Sequence, residues 1–277
     1  MAVLSPENEG RLRVAIAEYE LQDLEDLILR SATECAILTT TEPDDYSRPG
    51  SSRFGGRPDL PQSVEWPRSG NRRFRFLIQI NFAEVPAFEG KLLPDRGMLY
   101  VFTDDWEATL IYSPAENSAK LIPATAEDDT GASSNPDLDA LTPYRLSIQA
   151  AVDLPEWTSD AESAIIDALE ASHDDPRSAE DSYHALVKQM HGKDRHWAGK
   201  LQGQPCWIGY VPDWQEWSDK PAEAPSLENG WMLLLLMDSN NDVDILFGDA
   251  GYQMEFIQRE ALQRRDFSNI YSQLESS

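Results

Sequence analysis

Two related sheet-containing lobes, with a helix before them and a helical acidic insertion between them, make up the α+β fold that this sequence predicts. Three observations predict it. Several runs alternate apolar and polar residues with the period of a half-buried strand. Fragments recur in the same order: Gly56-x-Pro58 is echoed by Gly203-x-Pro205, and Phe76-Leu77-Ile78-Gln79-Ile80-Asn81 by Leu233-Leu234-Leu235-Leu236-Met237-Asp238. Asp95-Arg96-Gly97 and the run to Phe102 are likewise echoed by Asp249-Ala250-Gly251 and the run to Phe256, an order that reads as an internal duplication. Helical patterns lie outside the strand runs instead of alternating with them, which separates α+β from a doubly wound sheet.

The N-terminal sub-region, 1–40, is read as helical. From Glu7 to Arg30, the residues Leu12, Ile16, Tyr19, Leu24, Leu27 and Ile28 form an apolar stripe uninterrupted by proline, which predicts one amphipathic helix. Residues 42–53 are turn-rich, with Pro43, Asp44, Asp45, Pro49 and Gly50. In the first lobe, 50–123, the run from Phe74 to Phe82 places Arg75, Leu77, Gln79 and Asn81 on the face opposite Phe76, Ile78 and Ile80. Met98 to Thr103 follows as a strand entered through Gly97, and Leu110 to Tyr112 as a third.

The middle segment, 124–195, starts with an acidic loop from Glu127 to Asp139. Tyr144 to Ala150 then alternates as a strand. Ser159 with Glu162 is a capping-box pattern for a helix through Glu170. A second helix is expected from Ala179 to Met190, closed by Gly192. The second lobe, 196–277, contains Trp231 to Met237, apolar at every position and so a strand covered on both faces. Tyr252, Met254 and Phe256 alternate with Gln253 and Glu255 to give its partner.

An apolar fraction of 41% and eight tryptophans in 277 residues place the chain among folded globular proteins. No run approaches the ~18 apolar residues that span a bilayer, and the first residues lack the pattern of a secretory signal. Cys35 and Cys206, the only two cysteines, point to a reducing compartment, so a cytoplasmic location is expected. The net charge is −26, and half of it falls in residues 124–183, where fifteen acids face only Arg145 and Arg177. Residues 48–75 run the other way, with seven arginines against Asp59 and Glu65. A field of this sign repels nucleic acid and favours cationic partners; its alternative meaning is solubility or adaptation to salt.

Gly55-Gly56-Arg57-Pro58 supplies permissive backbone followed by stiff backbone, the chemistry of a turn. A phosphate cradle needs its glycines to open a helix, and here prolines follow. Arg53, Arg57, Arg72, Arg73 and Arg75 are forks for carboxylate or phosphate, but in so acidic a chain internal pairing is the simpler expectation. His184, His191 and His196 do not repeat the i, i+4 spacing of a helical metal pair, and no metal or other cofactor is expected. Asp249 in Gly248-Asp249-Ala250-Gly251 is read first as a turn residue. Neither cysteine has a histidine that the sequence can nominate as its base, and Gly-x-Ser-x-Gly, P-loop and Cys-x-x-Cys patterns are absent.

Taken together, Phe54-Gly55-Gly56-x-Pro58-x-Leu60-Pro61, Trp66-Pro67 and Phe76-Leu77-x-Gln79-Ile80-Asn81 resemble the YwqG-like family of uncharacterised bacterial domains. In the second lobe the resemblance rests on Gly203-x-Pro205, Leu234 to Ser239, Gly248 to Gly251, Phe256-Ile257 and Arg265-Asp266-Phe267. It treats the chain as one domain and is weakest over the acidic middle. Leu236 and Phe247 depart from the glutamine and tryptophan usual in the family. The resemblance implies an α+β fold and no established reaction. Members stand in bacterial gene neighbourhoods of polymorphic toxins, which implies toxin neutralisation by analogy.

Two functional expectations follow. The first is a non-enzymatic cytoplasmic immunity protein that blocks a basic toxin domain through an acidic surface. Its contacts would be Glu127, Asp128, Asp129, Asp137, Asp139, Asp174 and Asp175, with Trp157 and Trp214 as anchors. The second is a small-molecule binder or undescribed enzyme with a polar cleft between the lobes, lined by Arg75, Gln79, Asn81, Asp238 and Asp249.

Overall fold

The structure, a computed structural model, describes residues 4–70, 72–103, 108–114, 121–123, 141–156, 160–173, 175–193, 195–208 and 230–276. Its centre is strand β1 (Thr33–Pro43), a run of β-branched and small apolar residues that was absorbed into the expected N-terminal helical sub-region. Cys35, Ala36, Ile37 and Leu38 are buried in succession, as a strand covered on both faces requires.

The expected single helix before it is broken into α1 (Pro6–Glu18) and α2 (Glu25–Ser31), joined through a 3₁₀ turn at Gln22–Leu24. Ser5 caps α1 at its start by accepting from the Asn8 amide, and Pro6 occupies the first turn, where no amide is needed. The end is a left-handed cap. Glu20 has φ 59°, and the Leu21 and Glu20 amides reach back to the Ile16 and Ala17 carbonyls. The apolar stripe runs through this break, which is why periodicity alone did not show it.

One ten-stranded sheet forms the body of the fold. After β1 come β2 (Arg53–Phe54), β3 (Asp59–Pro61), β4 (Arg68–Ser69), β5 (Arg72–Arg73), β6 (Arg75–Asn81), β7 (Met98–Thr103), β8 (Ala108–Ser113), β9 (Leu121–Pro123) and β10 (Tyr144–Asp153). Helices α3 (Asp160–Ser172) and α4 (Pro176–His191) lead to β11 (Trp197–Leu201), β12 (Trp231–Asp238), β13 (Tyr252–Gln258), the short α5 (Arg259–Gln263) and β14 (Ile270–Glu275). The sheet order is β14-β13-β12-β11-β1-β10-β2-β6-β7-β8, with every neighbour antiparallel. Small two-stranded sheets, β3-β9 and β4-β5, lie apart from it.

The sheet curls until its two end strands meet, where the Ala108 amide of β8 donates to Ser272 Oγ of β14 at 3.0 Å. The result is nearly a barrel. Its inside is filled by residues such as Leu38, Ile80, Leu99, Val101, Leu234 and Met237. Outside, α1 to α4 form a layer packed on Val152 and Leu154 at the end of β10 and just beyond it. The lobes of the sequence reading are therefore two halves of one continuous sheet. The middle segment is not an excursion between them, because its strand β10 pairs with both β1 and β2.

The echoed runs do occupy matching places in the ladder. Arg53 stands opposite Gln79, and Lys200 opposite Leu236. Each run also has its register break at the echoed position, between Phe76 and Ile78 in β6 and between Leu233 and Leu235 in β12. The β6 break corrects the face assignment: Arg75 faces Thr103 while Gln79 faces Tyr100, so these two side chains lie on opposite faces of β7's alternation.

Gly199 makes the tightest approach in β11. Its φ is +139°, and a Cβ added there would lie 1.9 Å from the Leu236 carbonyl oxygen. Gly199→Ala is expected to lower stability by about 2–3 kcal/mol, read from the urea midpoint, because backbone on both strands must move. A variant with the wild-type midpoint would show that the β11–β12 ladder is looser than described.

Candidate functional site

The chemistry-bearing side chains gather at two buried centres, the first around Arg53 and the second around Lys200 and Lys193, each beside a Gly-x-Pro segment. The first is Arg53, fully buried on β2. Its Nε meets Asp44 Oδ2 at 2.5 Å, its Nη2 meets Asp59 Oδ2 at 2.9 Å, and its Nη1 donates to the Arg57 carbonyl. The Tyr46 ring lies under the guanidinium at 4.4 Å. Gln79 locks the segment in place: its Oε1 accepts from the Asp59 amide at 2.8 Å, and its Nε2 donates to the Ser51 carbonyl and to Asp59 Oδ2. Tyr100 Oη donates to the Asp59 carbonyl at 2.7 Å. Burial alone would raise the Asp44 carboxyl, but the Arg53 hydrogen bond and charge hold it below its ordinary value. Gly56 is required here, since a Cβ would strike Tyr46 Oη at 2.4 Å.

The second centre is a chain of alternating charges. Lys200 Nζ and Asp153 Oδ1 lie 2.7 Å apart, both fully buried. His191 Nε2 meets the same oxygen at 2.6 Å, and the Gln204 amide donates to Asp153 Oδ2 at 2.5 Å. The other face of His191 approaches Glu156 Oε1 at 3.5 Å, and Lys193 Nζ meets both Glu156 oxygens at 2.7 and 2.8 Å. Lys193 also lies over the Trp197 ring at 4.6 Å. Burial pushes Asp153 up, yet Lys200 and His191 overrule it and hold the carboxyl well below its usual range. Burial likewise opposes the Lys200 charge, and Asp153 restores it, leaving the ammonium above its usual value.

This arrangement holds charge and does not prepare a nucleophile. Burial drives both thiols upward, and Cys206 Sγ donates to Glu156 Oε1 at 3.0 Å. A thiolate is disfavoured at both positions. The three histidines weighed for a metal face different carboxylates: His184 faces Glu162, His191 faces Asp153 and Glu156, and His196 faces Asp242. Among the described residues no group of three or more His, Cys, Asp or Glu could hold a metal ion. Nor is any helix among them long and apolar enough to cross a membrane.

Residues 52–275, which include Arg53, Asp59, Asp153, His191 and Lys200, match the family described as Domain of unknown function (DUF1963). The chain belongs to the DUF1963 family. No curated protein matches it. The DUF1963 match begins after β1, so the central strand and Asp44, one of the two acids on Arg53, lie outside it.

The residues expected to line a polar cleft are not brought together in this DUF1963 fold. Gln79 is fully engaged beneath the Gly-Gly turn, and Asn81 donates to the Gly50 carbonyl and accepts from the Ala83 amide. Arg75 lies on the other face of β6. Asp238 ends β12, five places from β6 in the sheet order, and burial pushes its carboxyl up to about 7 against the pull of Lys193. Asp249 is exposed in the turn before β13. Of the expected partner contacts, Asp175 caps α4 through the Ser178 amide and is exposed. Glu127, Asp128, Asp129, Asp137, Asp139, Trp157, Asp174 and Trp214 lie outside the described residues.

The internal pairing expected of Arg53 is what the structure has, whereas the sequence reading missed Asp153 and Lys200 as a buried pair. A signal was present. Arg53 and Lys200 each stand three residues before the glycine of a Gly-x-Pro echo, on strands that are otherwise apolar or small.

Proposed function

We propose that this DUF1963 protein is a non-enzymatic binding protein that engages a basic protein partner through its acidic exterior. The observation that supports it is the distribution of charge. Four of the cations are neutralised within the fold: Arg53, Lys200 and Lys193 are held by buried acids, and Arg145 is shared among Glu42, Asp44 and Asp45, while Arg11, Arg13, Arg30, Arg177 and Lys188 are exposed on the helical layer. The acidic surplus faces solvent, with Glu18, Glu20, Asp23, Asp26, Asp167, Glu170, Asp175 and Asp181 exposed on or beside the helical layer. A surface whose net charge is of one sign steers and holds the opposite sign.

The YwqG-like resemblance and its toxin neighbourhoods make a toxin with a basic nucleic-acid groove the class of partner, met in the cytoplasm. In this reading Glu127, Asp128, Asp129, Asp137, Asp139 and Asp174 extend the acidic face, and Trp157 and Trp214 anchor it. We also read the two halves of the sheet as a duplication, on the strength of the matched bulges and of Arg53 and Lys200 at matched register positions. Co-purification with the protein encoded beside it tests the binding function. A complex is expected at about 50 mM salt and is expected to weaken at about 500 mM. Absence of a complex at both would overturn the reading.

A further inference from the structure

Glu255 is the one acid placed inside the barrel wall without a cation to meet it among the described residues. It is fully buried on β13, between Gln253 and Ile257 on the same inward face. Gln253 Nε2 donates to Oε1 at 3.0 Å, and Ser272 Oγ of β14 meets Oε2 at 2.5 Å. The same Ser272 oxygen accepts the Ala108 amide of β8. Leu235 of β12 is the ladder partner on the other side. The groups that face the carboxyl from β8, β12, β13 and β14 are thus an amide N–H, an aliphatic side chain, a carboxamide and a hydroxyl, none of them charged.

These contacts sit where the sheet closes. Strands β8 and β14 are the two ends of the sheet order, and among the described residues no backbone hydrogen bond joins them. Closure by a side-chain hydroxyl in place of a ladder is a weak point in an otherwise continuous wall. We propose that Glu255, Ser272 and the Ala108 amide form a proton-controlled clasp that holds the β8–β14 seam shut and releases it when the carboxyl ionises.

Ser272 Oγ donates to Oε2 and Gln253 Nε2 donates to Oε1, so both carboxyl oxygens are hydrogen-bonded, and a proton on the carboxyl removes the charge that no cation among the described residues meets. Loss of that proton to solvent base leaves an uncompensated charge inside the barrel, and the nearest relief is water entering through the seam. Burial pushes this carboxyl up to about 8 in the closed state. An open state, with the group hydrated, would ionise near its ordinary value of about 4.3. Opening is therefore favoured about tenfold per pH unit between those limits and levels off above pH 8.

Amide hydrogen exchange, corrected for its intrinsic pH dependence, reads this directly. In the wild type, amides of β8 and β14 are expected to be less protected than those of β1, with protection falling about a hundredfold from pH 5.5 to 7.5. Glu255→Gln is expected to keep the seam closed and flatten that fall. Ser272→Ala retains the acid but removes the bridge, and is expected to loosen the seam even at pH 5.5. Seam amides with the same protection as β1 at every pH would overturn the proposal, because only unfolding of the whole sheet would then expose the acid. A wild-type seam that does not respond to pH would overturn it equally.

Discussion

Arg53→Met is expected to be the most destructive single change in this protein, lowering stability by about 5 kcal/mol or preventing folding. The guanidinium meets Asp44 and Asp59, both buried, and also the Arg57 carbonyl. Its removal leaves Asp59 with hydrogen bonds but no cation, and Asp44 with only the 3.4 Å contact to Arg145 as charge partner, in a buried site. Breaking one buried ion pair by deleting a single partner costs about 3–5 kcal/mol, and here two acids share the partner. Arg53→Lys is expected to recover little, since one ammonium cannot span both acids in the planar fork geometry. Urea midpoints of the two variants check this. A lysine variant with near-wild-type stability would show that charge alone, and not the bridge, holds the Gly-Gly turn.

Asp153→Asn is expected to cost about 3–5 kcal/mol, for a related reason. The carboxylate receives Lys200, His191 and the Gln204 amide at once. An asparagine keeps the shape but leaves the Lys200 charge unpaired. The pH dependence separates this from simple packing loss. Asp153 is held below its ordinary value in the fold, so its contribution is complete above about pH 4 and is lost as pH falls through the folded value. Lys200 is raised, so its contribution is complete below about pH 10 and declines only as pH rises toward the folded value. The wild-type advantage over Asp153→Asn should therefore be flat near neutrality and shrink in acid. The double variant Asp153→Asn/Lys200→Met should be less damaged than the sum of its parts, because no buried charge is then left alone. Additive losses would contradict direct pairing.

Much of the strand content was legible in the sequence because period-two alternation is a local signal. Met98 to Thr103 and Trp231 to Met237 fall where the structure puts β7 and β12, and Gly192 closes α4 in the left-handed conformation. What was not legible depends on distant partners. The 33–43 segment has little alternation because both of its faces are covered, and it was passed over although it forms the middle of the sheet. The β6 bulge moved Arg75 to the other face, and no local pattern announces a bulge. Gln79 and Asn81 were rightly noticed as polar residues in an apolar strand. Their use is architectural, since the backbone of the turn they bind lies outside their own strand. The second buried centre was hidden for the same reason: Asp153 and Lys200 are far apart in sequence and meet only because β10 and β11 flank β1.

We propose that this DUF1963 protein uses its buried charges for architecture and its acidic exterior for a basic protein partner. The most direct test is the association rate constant with the protein encoded beside it, measured by stopped flow across ionic strength. The account predicts that kon falls at least about tenfold between roughly 50 and 500 mM salt while koff changes far less. An association rate that is independent of salt would contradict it.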